Sequence, residues 1–121
     1  MAHILIVDDS ATDAKLFSAM LERAGHKVSH AVDAESGIAR AKSEIPDLIL
    51  MDVIMPGMNG FQATRSLSRD PTTSHIPVVI VTTKSMETDR VWALRQGAKD
   101  FLVKPVGEKD LVARIQTLLP A

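Results

Sequence analysis

Two runs of four apolar residues, Leu48-Ile49-Leu50-Met51 and Val78-Val79-Ile80-Val81, constrain the fold of this chain more than any other feature. Neither run alternates with polar residues, so neither suits a sheet with one wet face. Strands of this kind are covered on both sides, as in a parallel sheet flanked by helices. With three further apolar runs, the expected strands are residues 3–7, 27–31, 47–51, 76–81 and 99–103.

Between the strands the apolar spacing turns helical. Leu16, Met20 and Ala24 fall four apart, with Ser10 or Thr12 as N-cap and Gly25 as the stop. Ile38, Ala41 and Ile45 continue the pattern after Asp33, and Pro46 ends it because the residue before a proline avoids the helical region. A third helix is expected from near Asn59 through Phe61, Thr64 and Leu67 to Asp70-Pro71. A fourth runs from Met86 to Gln96, closed by Gly97. The last carries Leu111, Val112, Ile115, Leu118 and Leu119 and stops at Pro120. The order is therefore β-α five times, an α/β sheet with helices on both faces. A sheet of this type places its site beyond the carboxyl ends of the strands, where the strand order reverses.

Those ends carry the chemistry. Strand one ends in Asp8-Asp9, strand three in Asp52, strand four in Thr82-Thr83 and strand five in Lys104-Pro105. Three carboxylates brought together repel one another unless a cation sits among them. Oxygen-only ligands open to solvent suit a hard ion such as Mg²⁺. A carboxylate can also act as a nucleophile and form an acyl phosphate, and phosphoryl transfer asks the protein mainly for positioning and charge neutralisation. Alone, each piece has a plainer reading. An acidic pair before a helix is cap decoration, a lone Asp after a strand is a turn former, and paired threonines suit a strand. Their conjunction at successive strand ends is what favours chemistry.

Composition removes several alternatives. The formal net charge is -1 and there are no cysteines, which argues against bulk attraction to nucleic acid or anionic membrane and against disulfides. No apolar run approaches the roughly 20 residues of a membrane span, and the start at Met1-Ala2-His3-Ile4 has no basic segment or cleavage-type site. A cytoplasmic single domain covering 1–121 is the expectation. No Gly-x-x-x-x-Gly-Lys-Ser/Thr run exists, against a P-loop nucleotidase. A flavin carrier would want a phosphate cradle where Asp8-Asp9 stand, and the loops are too short to enclose the substrate of a small phosphohydrolase.

The stretches Ile4-Leu5-Ile6-Val7-Asp8-Asp9-Ser10, Asp47-Leu48-Ile49-Leu50-Met51-Asp52, Met55-Pro56-Gly57-Met58-Asn59-Gly60 and Gly97-Ala98-Lys99-Asp100-Phe101-Leu102-Val103-Lys104-Pro105 resemble the receiver domain of two-component response regulators, the CheY-like family, over the whole chain. The resemblance implies a flavodoxin-like (βα)5 sheet of strand order 2-1-3-4-5. It implies that Asp52 is the phosphoacceptor and that Asp9, Asp52 and the backbone carbonyl of Ile54 bind Mg²⁺, with Asp8 acting through water. Thr82 and Lys104 would contact the phosphoryl group, and the Lys104-Pro105 bond would be cis. On phosphorylation Thr82 would move toward the phosphoryl oxygen and the Phe101 ring would turn inward behind it.

Residues 59–65, 81–84 and 87–92 look more like one subfamily, the single-domain PilH-like regulators of type IV pilus chemosensory systems. That likeness implies a CheA-type histidine kinase, a role in twitching motility, and a downstream protein bound through the face of helix four, strand five and helix five. Monomers or a weak phosphorylation-dependent dimer are expected, and the protein is a regulator rather than an enzyme. Draining phosphoryl groups from a shared kinase is the other role open to such a chain, and so is being the receiver part of a longer regulator. Some positions depart from the commonest receiver pattern. Phe101 stands where tyrosine is frequent, Thr83 where a smaller residue is common, and Ile54 and Lys84 border the path to the acceptor. The scattered His3, His26, His30 and His75 have no metal-ligand partner at helical spacing. Met51, Met55 and Met58 suit packing, and Trp92 is expected to be partly buried.

Overall fold

The computed structural model describes residues 1–120. The chain runs β1(His3–Val7), α1(Ala11–Arg23), β2(Lys27–Ala31), α2(Ala34–Glu44), β3(Leu48–Met51), α3(Gly60–Arg69), β4(Val78–Thr82), α4(Glu87–Arg95), β5(Asp100–Val103) and α5(Glu108–Gln116). All four strand pairings are parallel, in the order β2-β1-β3-β4-β5. The continuous apolar runs lie where two-sided cover demands them: β3 and β4 are central and buried along their full length. Edge strand β2 carries Lys27, Ser29 and His30 and is only partly covered.

Residue parity divides the core into two layers. Leu5, Val7, Ile49, Met51, Val78, Ile80 and Phe101 point to the side of α2, α3 and α4, where Ala41, Phe61, Leu67 and Ala93 meet them. Ile4, Ile6, Leu48, Leu50, Val79, Val81 and Leu102 face Phe17, Leu21, Leu111 and Ile115 of α1 and α5.

Several expected boundaries and faces are corrected. Strand β3 starts at Leu48 and β5 at Asp100, although Asp47 and Lys99 still donate backbone hydrogen bonds to His3 and Val78. Strand β4 starts at Val78, because Pro77 has no N–H to give the ladder, and Ile76 closes a turn onto Thr73. Ser10, not Thr12, caps α1, its hydroxyl accepting from Asp13 N at 3.2 Å. The buried face of α1 is Ala14, Phe17, Met20 and Leu21, while Leu16 is exposed. In α2 the buried positions are Ala34, Gly37 and Ala41. Ile45 is instead the C-cap, in the left-handed region at φ 45° and exposed, since Pro46 bars it from continuing the helix. Helix α5 stops at Gln116, and Leu118 and Leu119 pack as a turn beyond it. Trp92 is half-covered, 47% exposed, as expected, and α4 inserts only Ala93 into the core.

Candidate functional site

Each site residue is placed by the end of a strand. Strands β1 and β3 are neighbours although β2 and α2 lie between them in sequence, so the chain reverses direction across the sheet at their shared edge. Asp8 and Asp9 leave β1 there and Asp52 leaves β3. The Asp52 amide donates to Val7 O at 2.9 Å, which ties the two exits together. One carboxylate oxygen from each of Asp8, Asp9 and Asp52 lies within 4.8 Å of the others. Asp8 and Asp52 are buried, and Asp9 is exposed at the rim.

Local hydrogen bonds fix the carboxylates in place. Asp8 Oδ1 accepts from Ser10 N at 2.9 Å, and Asp52 Oδ1 accepts from Val53 N at 2.7 Å. That leaves the Oδ2 atom of both residues turned toward Lys104. Lys104 N donates to Thr82 O at 2.8 Å across the β4–β5 edge. Its ammonium then reaches Asp8 Oδ2 at 2.9 Å, Asp52 Oδ2 at 3.2 Å and Asp13 Oδ2 at 2.8 Å. The Lys104-Pro105 peptide is cis, as expected.

Electrostatics follow from this crowding. Burial pushes the Asp8 carboxyl up from its ordinary value, and the Asp52 charge adds to the rise, against the hydrogen bonds from Lys104 and Ser10 N. For Lys104, burial works against the ammonium, but the bonds to Asp13 and Asp8 and the charges of Asp52 and Asp8 outweigh it. The lysine is held above its ordinary 10.5. A cation raised on folding supports the fold fully below its unfolded pKa and loses that support as pH rises past it. The parent protein is therefore expected to lose melting temperature faster than Lys104→Met above about pH 10. Parallel thermal scans of the two proteins check this, and equal slopes would leave the cluster with no part in alkaline stability.

Of the expected site residues, Asp8, Asp9, Asp52 and Lys104 are brought together. Thr82 is fully buried at the end of β4, and its hydroxyl accepts from Lys84 N at 3.4 Å rather than bonding the cluster. Ile54 lies on the exposed rim and its amide faces Asp52 Oδ1 at 3.4 Å. The Phe101 ring is already inside, 9% exposed among the α2–α3–α4 core residues, so it has no inward turn left to make. Asp13 was not singled out by the sequence. The available signal was its place in the first turn of α1, three residues after the Ser10 N-cap and just past the Asp8-Asp9 exit of β1.

A response regulator receiver domain model matches residues 4–116. The chain is 56% identical to Protein PilH of Pseudomonas aeruginosa over 119 residues, covering 98% of both chains. It is 45% identical to response regulator PleD of Caulobacter vibrioides, spanning 97% of this chain but 26% of PleD. Among solved structures, chemotaxis protein CheY4 of Vibrio cholerae superposes with a TM-score of 0.92 at 31% identity, covering 98% of this chain and 99% of that one. The strand-end carboxylates, the lysine that gathers them and these likenesses agree: the chain belongs to the response regulator receiver domain family.

Proposed function

We propose that Asp52 accepts a phosphoryl group from a phosphohistidine of a histidine kinase. The observation that carries this reading is the meeting of Asp8, Asp9 and Asp52 with Lys104 at the ends of three separate strands. An Asp52 oxygen attacks phosphorus while the phosphorus–nitrogen bond breaks, and the imidazole leaves with the electron pair. Asp52 Oδ1 stays anchored on the Val53 amide, which leaves Oδ2, beside the Lys104 ammonium, as the nucleophile. Lys104 then donates to the phosphoryl oxygens, and Thr82 exchanges its bond with Lys84 N for one to the phosphoryl group. Because the Phe101 ring is already buried, the change reaches the surface through Thr82 and the loop leading into α4. An acyl phosphate on Asp52, located by mass spectrometry after incubation with acetyl phosphate and Mg²⁺, tests the assignment. A label on any other residue would sink it.

The donor set fits a hard dication: three carboxylates, one of them open to water. Asp9, Asp52 and the Ile54 carbonyl would hold Mg²⁺, with Asp8 acting through water, and the ion would neutralise charge on the transferring oxygens. Asp9→Ala is expected to weaken Mg²⁺ binding more than Asp8→Ala, and a chelator should stop labelling. Metal titration of both variants checks the order. Full labelling in chelator would refute the metal's role.

Likeness to PilH over nearly the whole of both chains supports a place under a CheA-type kinase in the chemosensory control of type IV pili and twitching motility. It also supports a receiver acting in the cytoplasm. Output goes through contact. Val91, Trp92 and Leu94 of α4 and Val103 of β5 are exposed apolar residues on two of the elements of that α4–β5–α5 surface, and exposed apolar residues suit a protein partner. Phosphotransfer from candidate kinases, followed by pull-down with the beryllofluoride-bound form, tests both assignments.

A further inference from the structure

Lys104 has three N–H donors, and each already faces a carboxylate. The shortest of these contacts is to Asp13 at 2.8 Å and the longest to Asp52 at 3.2 Å. The three acceptors are not held alike. Asp8 and Asp52 have side chains only 3% and 8% exposed and are anchored by Ser10 N and Val53 N. Asp13 is 36% exposed on the first turn of α1. Its amide is taken by the Ser10 hydroxyl, while its carboxylate is turned to the lysine. Water can replace Lys104 at Asp13 at little cost, whereas the buried Asp8 has no such replacement.

We propose that Asp13 is a positioning residue that competes with the phosphoryl group for Lys104. In the resting state it holds the ammonium toward α1. When a phosphoryl oxygen arrives, the contact given up is the one to Asp13, since that carboxylate alone can rehydrate. Asp13 therefore slows phosphoryl uptake by occupying a donor of Lys104. This inference rests on Asp52 being the acceptor.

The test uses the full chain, acetyl phosphate and Mg²⁺. The Asp52 oxygen–phosphorus bond forms as the donor's phosphorus–oxygen bond breaks, and acetate leaves with the electron pair. Asp13→Asn is expected to be labelled roughly two- to fivefold faster than the parent, the range for a partly exposed ion pair. It should also bind beryllofluoride, a phosphoryl mimic needing no chemistry, more tightly by a similar factor. Asp13→Glu, which keeps the charge, should stay near the parent rate. In a Lys104→Met background Asp13→Asn should have no effect. An unchanged or slower Asp13→Asn overturns the proposal, and so does a gain that persists without Lys104, which would be a bulk charge effect. If the parent itself takes up neither phosphoryl nor beryllofluoride, it is the acceptor reading that has failed, and the competition falls with it.

Discussion

Asp52→Asn mixed with acetyl phosphate and Mg²⁺ is expected to gain no phosphoryl group, and without the metal it is expected to melt above the parent. The first effect is complete loss, because an amide oxygen is no nucleophile toward phosphorus and no other carboxylate in the cluster has its place. Asp8 is turned onto Lys104 and Ser10 N, and Asp9 sits on the rim. The second effect is a matter of charge. Asp52 has two like-charged neighbours with oxygens within 4.8 Å and one opposite charge at 3.2 Å. Two repulsions outweigh one attraction by an amount on the order of 1–2 kcal/mol at an effective dielectric near 20. The amide keeps the acceptor that Val53 N uses, and Lys104 keeps Asp8 and Asp13. Saturating Mg²⁺ should narrow the gap by stabilising the parent, which binds it better. Melting curves with and without the metal check this. A variant less stable than the parent in chelator would show that the ion pair with Lys104, not the repulsion, dominates the cluster.

Gly60→Ala is expected to destabilise the fold by at least about 3 kcal/mol, a large share of a domain's stability. A Cβ at this position would stand 2.0 Å from Asp52 O and 2.8 Å from Val53 Cα. These are backbone atoms, which no rotamer change can move aside. The close approach exists because Gly60 N donates to Val53 O at 3.0 Å, pinning the start of α3 against the exit of β3. The same clash would push Asp52 out of register with Asp8, so phosphoryl uptake should fall even in the fraction that stays folded. Gly107→Ala is the control, with nothing within 4 Å of its added Cβ, and it should unfold within about 1 kcal/mol of the parent. Denaturant titrations compare the two. A mild Gly60→Ala would mean that the loop from 53 to 59 yields more readily than its hydrogen bonds suggest.

Much of this architecture was legible because the central strands advertise themselves. Leu48–Met51 and the run from Val78 have no polar position to spare, so a two-sided burial follows directly. Helix faces were harder. A single row spaced four apart marks only the edge of the wider stripe: Met20 lies in it with Ala14, Phe17 and Leu21, Leu16 falls outside it, and Ala24 is the C-cap beyond the helix. Ile45 misled for a different reason: it keeps the spacing, but the following proline forces its backbone out of the helix. The site residues at strand ends were readable because topology alone gathers them. Asp13 was not, because an acid in a helix's first turn already has a sufficient explanation in the helix dipole. The Phe101 ring direction was hidden in register. Phe101 pairs with Ile80, and that parity, which decides its face, cannot be counted from sequence.

The thin anchoring of α4 has a consequence for how this protein can be watched. With Ala93 as its one buried helical residue, α4 is expected to open at less cost than helices that bury several side chains, so among the helices its amides are expected to exchange with solvent first. The chain's single tryptophan, Trp92, lies on that helix. Intrinsic fluorescence is thus a local gauge of the most easily displaced helix, supplied without any label.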